Sequence, residues 1–238
     1  MALLEIRHLT KHFGGLAANA DVSFSVEKGS IVGLIGPNGA GKTTLFDCVT
    51  GFHRPDRGEV RYDGIRLNGK SPDRICKLGL ARTWQKVRPL PRLSVLENVM
   101  VGAFARTRDP EVARVMAEDQ LRVVGLLPRA AHGAGGLPIG ERKKLEMARV
   151  LATRPELVLL DEVMGGLNPT ESDEVIALVL KLRKNGLTFV VIEHDMRAIM
   201  RISDRVVVLD AGEKLAEGTP AQVVGNREVV AAYLGEAP

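Results

Sequence analysis

The sequence predicts an α/β fold in which a largely parallel β-sheet is interrupted by an all-helical insertion. Apolar, strand-like segments alternate with helical patterns in both halves of the chain, as they do in βαβ units. Between residues 89 and 154 the pattern is helical throughout, and Gly and Pro mark the loops. The strands on the two sides of this insertion are therefore expected to belong to one sheet.

The first strands are expected to form an antiparallel β subdomain beside the main sheet. Residues 3–9 and 21–26 alternate apolar and polar positions, and Gly14-Gly15 separates them. Residues 58–67 have the pattern of a further strand pair near the sheet edge. Residues 31–35, in contrast, are apolar on both faces, which is typical of a buried parallel strand.

Helices are predicted where capping residues precede a periodic apolar pattern, as with the capping box of Ser94 and Glu97. The predicted helices span residues 41–50, 72–79, 94–104, 110–124, 140–153, 168–186 and 196–202, with more after residue 219. Later strands are predicted at 157–160, 188–192, 205–209 and 214–217, the last two joined by a hairpin turn. These elements divide the chain into a first core part (1–88), a helical subdomain (89–154) and a second core part with C-terminal helices (155–238).

The composition indicates a globular chain without a membrane span. The 238 residues carry a formal net charge of +4, and 45% of them are hydrophobic. No apolar run is long enough to cross a bilayer, and the N-terminus lacks the basic start and apolar core of a secretory signal. With only Cys48 and Cys76, a disulfide framework is not expected, which favours a reducing cytosol. No motif points to nucleic acid.

A glycine-rich loop follows the strand predicted at residues 31–35. It reads Gly36, Pro37, Asn38, Gly39, Ala40, Gly41, Lys42, Thr43, Thr44, which is the full P-loop pattern. The glycines let the backbone turn tightly, so that successive N–H groups form an anion cradle at the start of the next helix. Lys42 is expected to reach the β- and γ-phosphates of a nucleoside triphosphate, and the Thr43 hydroxyl to bind Mg²⁺.

Charged residues follow two of the apolar strands predicted after the insertion. Asp161 and Glu162 follow residues 157–160, and His194 comes just after residues 188–192. Because open α/β sheets bind ligands at the carboxyl ends of their strands, all three side chains are expected beside the P-loop. Asp161 would then hold Mg²⁺ through water, and Glu162 would orient or deprotonate the attacking water. A neutral His194 could donate to the γ-phosphate.

With these motifs in this order, the chain resembles the nucleotide-binding subunits of ATP-binding-cassette (ABC) transporters, which have a RecA-like P-loop NTPase core. The resemblance covers essentially the whole chain and implies ATP and Mg²⁺ as cofactors and ATP hydrolysis as the activity. It assigns Phe13 to stacking on adenine. It assigns Gln85 to Mg²⁺, the attacking water and the link to the helical subdomain, and it makes Gln85, Glu162 and His194 the catalytic residues. Residues 166–168 match the loop that crosses the dimer interface.

The family's signature, Leu-Ser-Gly-Gly-Gln, falls on Leu137, Pro138, Ile139, Gly140 and Glu141. In the family this segment binds the ATP that the other cassette of a dimer holds. Pro138 has neither a hydroxyl nor an N–H group, Ile139 crowds the phosphate, and Glu141 could repel it, although basic residues follow. We therefore hypothesise a heterodimer with unequal sites, or a homodimer with slow turnover. A family variant that works normally is the alternative.

Within the family, residues 165–171, 192–196 and 215–236 resemble the cassettes of branched-chain amino acid importers. Such systems imply integral-membrane permease subunits, a second nucleotide-binding subunit and, indirectly, a solute-binding protein. They imply a cytoplasmic chain, peripheral on the inner face of the membrane, whose permease docks near residues 84–92 and the first inserted helix. Export of lipid or lipopolysaccharide and a non-transport ABC ATPase are the alternatives.

Overall fold

The computed structural model describes residues 2–85 and 88–234. Its strands are β1 (Ala2–Phe13), β2 (Leu16–Glu27), β3 (Ile31–Ile35), β4 (Arg57–Tyr62), β5 (Ile65–Arg66), β6 (Leu80–Arg82), β7 (Leu157–Asp161), β8 (Thr188–Ile192), β9 (Arg205–Asp210) and β10 (Glu213–Gly218). Its helices are α1 (Lys42–Val49), α2 (Pro72–Leu78), α3 (Val95–Ala103), α4 (Pro110–Val123), α5 (Ile139–Leu151), α6 (Pro169–Lys184), α7 (Met196–Ile202), α8 (Pro220–Val224) and α9 (Arg227–Leu234).

Six strands form the main sheet, in the order β10-β9-β3-β8-β7-β6. Neighbouring strands in it are parallel except β9 and β10, which form the hairpin predicted at residues 205–217. The strands β2-β1-β4-β5 form a separate antiparallel sheet. The predicted fold class, with its parallel sheet core and antiparallel β subdomain, is confirmed.

The central strands are buried along their whole length because each contributes to two hydrophobic clusters. In β3, Ile31 and Ile35 belong to the cluster that also contains residues of the insertion helices. Val32 and Leu34 belong to the cluster shared with the antiparallel sheet. Because side chains alternate between the two faces of a strand, one continuous apolar run supplies both layers of the core.

The helical insertion consists of α3, α4 and α5, which pack against one another. The predicted capping box is present at α3. The Ser94 hydroxyl accepts from the Glu97 N–H at 3.1 Å, and the Glu97 carboxylate accepts from the Ser94 N–H at 2.7 Å. No helix in residues 2–85 and 88–234 combines the length and apolar character that crossing a membrane requires.

The structure differs from the prediction at β6, at β1 and β2 and at the start of α5, besides shifts of one or two residues at other element ends. The strand β6 was not expected, because a three-residue strand shows no periodicity of its own; it forms the sheet edge by pairing with β7. Strands β1 and β2 are longer than predicted, since register irregularities interrupt their apolar alternation. Helix α5 begins at Ile139 rather than Gly140, because Pro138 already has the extended backbone of an N-cap residue.

Candidate functional site

Three neighbouring parallel strands end at the same edge of the main sheet. Strand β3 leads into Gly36, β7 ends at Asp161, and β8 is followed by Glu193 and His194. Since β8 lies between β3 and β7, the segments that follow the three strands adjoin. The P-loop and the charged residues after β7 and β8 therefore occupy one edge, where open α/β sheets bind ligands.

Two glycines of the P-loop are required by its backbone. Gly36 has a φ of +151° and Gly41 a φ of +95°. A β-carbon on Gly36 would lie 2.0 Å from the carbonyl oxygen of Leu209, and one on Gly41 would lie 2.1 Å from that of Ala18. The loop is thus closely packed between β2 and β9, which fixes the direction of its amide groups at the start of α1.

Lys42 is buried within the loop, with 7% of its surface exposed. Its ammonium donates to the carbonyl oxygens of Gly36 at 2.6 Å and Pro37 at 2.9 Å. Burial lowers the pKa of Lys42, and the nearby carboxylates of Glu162 and Asp161 oppose that shift. The positive charge is therefore held at the P-loop by the loop's own carbonyl groups.

The P-loop borders a cleft of about 480 Å³ at the end of the antiparallel sheet. The cleft is lined by Phe13, Leu16, Ala17, Ala18, residues 38–44, Gln85, Glu162 and Ala211. The Phe13 ring is 45% exposed and touches His53 edge to face, with ring centroids 5.1 Å apart. An exposed aromatic ring and the N-terminal amides of α1 thus share one cleft, an arrangement suited to a flat base carrying a phosphate chain.

Asp161 is almost fully buried at the end of β7, and it is paired with Arg82. One carboxylate oxygen accepts from the Arg82 guanidinium at 2.7 Å, and Arg82 also pairs with Asp47 of α1. The other oxygen, Oδ1, is buried without a hydrogen-bond partner among the described residues. Burial raises the pKa of Asp161 above its ordinary value, and Arg82 opposes that shift.

Glu162 connects the ends of three segments through its side chain. Its carboxylate accepts from the Gln85 side-chain amide at 2.6 Å and contacts His194 Nε2 at 2.9 Å. Its backbone has a φ of +49°, the left-handed region that side-chain-bearing residues rarely adopt. The structure therefore brings together Gln85, Glu162 and His194, which are far apart in sequence, beside the P-loop cleft.

A second cleft of about 510 Å³ lies on the other side of Gln85. It is lined by Thr43, Asp47, Arg82, Trp84, Gln85, Arg88, Arg149 and Asp161. Thr43 and Gln85 line both clefts and Asp161 lines this one, so the Thr43 hydroxyl, the Gln85 amide and the Asp161 carboxylate border one cleft. These three groups are oxygen-rich and include one carboxylate, which is a donor set that suits Mg²⁺.

The signature segment is not part of either cleft, since residues 137–141 are absent from both linings. Pro138 and Ile139 are exposed at the start of α5, as are Gly165 and Gly166 after β7. The carboxylate of Glu141 lies 3.3 Å from Arg129 Nε, and the basic residues that follow Glu141 contact other groups. Its charge is therefore balanced from within the helical insertion.

Sequence reasoning did not identify several charged residues that hold the site together. Arg82 pairs with two carboxylates, a role that its position in the sequence does not predict. Lys143 and Glu193 are both buried next to Glu162. One signal was available, because Arg82 and Glu193 adjoin strongly apolar segments where a charge needs a buried partner. The partners of these buried charges come from distant segments, so the sequence does not predict them.

Comparison with protein families and curated proteins identifies the family to which the chain is similar. Residues 20–165 match the family described as ABC transporter, and residues 213–238 match the branched-chain amino acid ATP-binding cassette transporter family. The chain is 42% identical to the high-affinity branched-chain amino acid transport ATP-binding protein BraF of Pseudomonas aeruginosa, over 99% of this chain and 98% of BraF. It is 40% identical to LivG of Escherichia coli, a protein with the same description, with the same coverage.

Solved structures give the same result. A nucleotide-free ATP-binding cassette from an ABC transporter superposes with a TM-score of 0.91 at 31% identity, covering 99% of this chain and 100% of that one. A dimeric cassette bound to ADP and Pi in a post-hydrolysis state superposes with a TM-score of 0.83 at 27% identity, covering 91% and 98%. This chain belongs to the ABC transporter family, as one of its ATP-binding, ATP-hydrolysing cassettes.

Proposed function

We propose that this chain is the ATP-hydrolysing subunit of an importer for branched-chain amino acids or related small solutes. One observation carries the hydrolytic part of the proposal. Beside the P-loop cleft, the Glu162 carboxylate is held between the Gln85 amide and the His194 imidazole. The class of solute is supported by the similarity, along nearly the whole chain, to BraF and LivG, which are branched-chain amino acid transport ATP-binding proteins.

ATP would lie along the cleft from Phe13 to the P-loop. Phe13 would stack on the adenine, and the amides of residues 36–44 would bind the phosphates. Lys42 would exchange its contacts with the Gly36 and Pro37 carbonyls for the β- and γ-phosphates. That exchange is favourable for a buried ammonium, because phosphate charge stabilises it better than neutral carbonyl groups do.

Mg²⁺ would be bound by Thr43, Gln85 and Asp161, directly or through water. The residues fit such an ion, since the buried Oδ1 of Asp161 lacks a partner among the described residues. Arg82 donates to the other oxygen of that carboxylate, Oδ2, and this contact leaves Oδ1 available to the ion. The ion would supply charge neutralisation at the phosphates.

Glu162 would act as the base or orienting group for the attacking water. Its carboxylate is only partly exposed and already has two hydrogen-bond partners that fix its direction. His194 is half exposed, and it would hold Glu162 on one side and the γ-phosphate on the other. Gln85 would connect this group to the helical subdomain.

A second cassette would complete the site, because residues 137–141 line neither cleft of this chain. The exposed Pro138 and Ile139 would face the ATP of that partner, and residues 166–168 would cross the interface. In this arrangement, the altered signature weakens the partner's site and not the one built on Lys42. Replacing Pro138→Ser, with Ile139→Gly if needed, should raise ATP turnover of the assembled transporter. Unchanged turnover would exclude a weakened site.

The permease would dock at an apolar groove of about 230 Å³ between the main sheet and the helical insertion. Phe52, Trp84 and Val101 line this groove and are all substantially exposed. Residues 86 and 87 of the predicted docking segment 84–92 lie outside the described residues. Docking there would place the chain on the cytoplasmic face of the membrane. The division into residues 1–88, 89–154 and 155–238 then separates the ATP-binding core from the permease-contacting helices.

The test is to purify the tagged full chain from its own host and to identify the proteins that accompany it. Two permease subunits and a second cassette are expected, and the complex in proteoliposomes should take up leucine, isoleucine or valine in an ATP-dependent way. The same complex with Lys42→Ala should assemble but not transport. Co-purification with ribosomes or DNA, or ATP-dependent movement of lipid, would contradict an importer.

A further inference from the structure

Two oppositely charged side chains are buried directly behind the hydrolytic group. Lys143 and Glu193 each expose only 4% of their surface. Neither lines the P-loop cleft, and neither belongs to the residues proposed to contact ATP, Mg²⁺ or the attacking water. Burying a charge is costly unless it makes strong contacts, so the contacts of these two residues need an explanation.

Lys143 lies on α5, two residues after the signature segment, and its ammonium reaches out of the helical insertion. It donates to the backbone carbonyl oxygen of Glu162 at 2.8 Å. This contact fixes the peptide group between Glu162 and Val163. A backbone carbonyl that accepts from a charged donor is held more firmly than one that accepts from a neutral donor.

Glu193 follows β8 immediately, and its carboxylate accepts from the backbone N–H of Met164 at 2.7 Å. Burial raises the pKa of Glu193 to about 7, and the Met164 N–H and Lys143 oppose that shift. The neighbouring residue, His194, contacts the Glu162 side chain instead. Of the two consecutive residues after β8, Glu193 thus holds the backbone of residues 162–164, and His194 contacts the side chain of Glu162.

These contacts surround a backbone that is unfavourable by itself. Glu162 has a φ of +49°, and its N–H donates to the Ile192 carbonyl at 2.9 Å. With Lys143 on its carbonyl and Glu193 on the N–H of Met164, the segment 162–164 is hydrogen-bonded on both sides of the strained residue. Strained backbone persists where its surroundings over-determine it, and such positions cluster at functional sites.

We propose that Glu193 is a positioning residue for ATP hydrolysis: with Lys143, it holds the backbone at residues 162–164 so that the Glu162 carboxylate points at Gln85 and His194. The inference rests on the proposed role of Glu162. The two residues that follow β8 then act differently: the buried Glu193 positions the backbone of residues 162–164, and the half-exposed His194 contacts the Glu162 carboxylate.

The test compares Glu193→Ala and Glu193→Gln in the full chain assembled with its partner subunits, with Glu213→Ala on the exposed surface of β10 as the matched control. Glu193→Ala removes the acceptor for the Met164 N–H and should lower the rate of single-turnover ATP hydrolysis by about 100-fold, while the dissociation constant for ATP stays the same. Glu193→Gln keeps an acceptor oxygen and should restore most of that rate. The control should behave as the wild type.

Amide hydrogen exchange gives a readout that does not depend on activity. The Met164 amide should exchange faster in Glu193→Ala than in the wild type or Glu193→Gln, while amides of β3 stay protected. The proposal is overturned if Glu193→Ala hydrolyses ATP at the wild-type rate. It is also overturned if hydrolysis, ATP affinity and β3 protection fall together, because that pattern indicates a merely structural role.

Failure of the proposed function and failure of the positioning role of Glu193 give different results. A wild-type chain that binds ATP but never hydrolyses it, alone or with its partners, would contradict the proposed function and with it the role of Glu193 in hydrolysis. Slow hydrogen exchange of the Met164 amide in that chain would show that its contact with Glu193 exists and that the role assigned to Glu162 is wrong. Active wild type with unimpaired Glu193→Ala would overturn the positioning role alone.

Discussion

At the scale of single residues, the site is organised by a few buried charges rather than by the phosphate-binding loop alone. Arg82 is the clearest case, because its guanidinium pairs with Asp47 and Asp161. It also lies over the Trp84 ring, 4.8 Å from the ring centroid. One arginine thus connects α1, β6 and β7 beneath the proposed Mg²⁺ position. Its planar guanidinium can donate to two carboxylates at once with a fixed geometry, which the single ammonium of a lysine does less well.

Arg82→Met should destabilise the fold by about 3–5 kcal/mol, because it leaves the buried Asp161 and its neighbour Asp47 without a counter-charge. Urea unfolding followed by circular dichroism measures the change. Arg122→Met is the matched control, since Arg122 pairs with Asp119 on the exposed side of α4 and should cost less than about 1 kcal/mol. Equal losses in the two variants would contradict the bridging role of Arg82.

Glu162→Gln should lower ATP hydrolysis by about 100- to 10,000-fold, because it removes the base while keeping a side chain that can bond to Gln85 and His194. ATP binding should be retained, which equilibrium dialysis with labelled ATP would measure. Glu156→Gln, on the surface beside Lys28, should hydrolyse ATP normally. A Glu162→Gln chain with normal turnover would remove Glu162 from the mechanism.

At the scale of elements, helix starts determine how the exposed segments around the site are held. Helix α6 begins with a capping box, in which the Asn168 side chain accepts from the Glu171 N–H at 2.9 Å. A β-carbon on Gly140 would lie 2.4 Å from the Glu171 carboxylate, so the starts of α5 and α6 are in close contact. Helix α5 has no side-chain cap at Pro138. Its start therefore depends on packing against α6.

Asn168→Ala should cost about 1 kcal/mol of folding free energy, because the N-cap acceptor of α6 is lost. Thermal or urea unfolding would measure it. Ser71→Ala is the matched control, since Ser71 occupies the N-cap of α2 without a capping hydrogen bond and should change stability less. If the two substitutions cost the same, the capping box does not hold the start of α6.

At the scale of the whole molecule, buried carboxyl groups next to the site make stability depend on pH. The pKa values of Asp161, Glu146 and Glu193 are all raised by burial. A carboxyl with a raised pKa keeps its proton in the folded chain after the unfolded chain has lost it. The folded state then binds more protons, so this contribution favours folding at low pH and is lost as pH rises.

Glu193→Gln should remove one such contribution. The pKa of Glu193 rises from an ordinary 4.5 to about 7 in the folded chain, where it faces Lys143, Glu162 and His194. The stability of the wild type relative to Glu193→Gln should therefore fall by about 3 kcal/mol between pH 4.5 and 7 and stay level outside that window. Urea titrations of both proteins at several pH values test this. A difference that rises with pH would contradict the raised pKa.

Much of the fold could be predicted because local patterns determine it. The alternation of apolar strands and helices, the P-loop and the capping box of Ser94 and Glu97 each depend on residues close together in sequence. The short strand β6 could not be predicted, since its pairing with β7 alone makes it a strand. The roles predicted for Glu162 and His194 remain predictions, although the structure places the two side chains in contact.

The sequence by itself determined the fold class and the family and predicted the residues of the nucleotide site, because these depend on residue types at fixed local spacings. Only the tertiary structure decided which charges are buried and what each one touches. Arg82 reaches two carboxylates from different elements, and Lys143 and Glu193 reach the backbone around Glu162. The physical reason is that a buried charge is stabilised by partners close in space, and the chain order does not state which distant segments will meet.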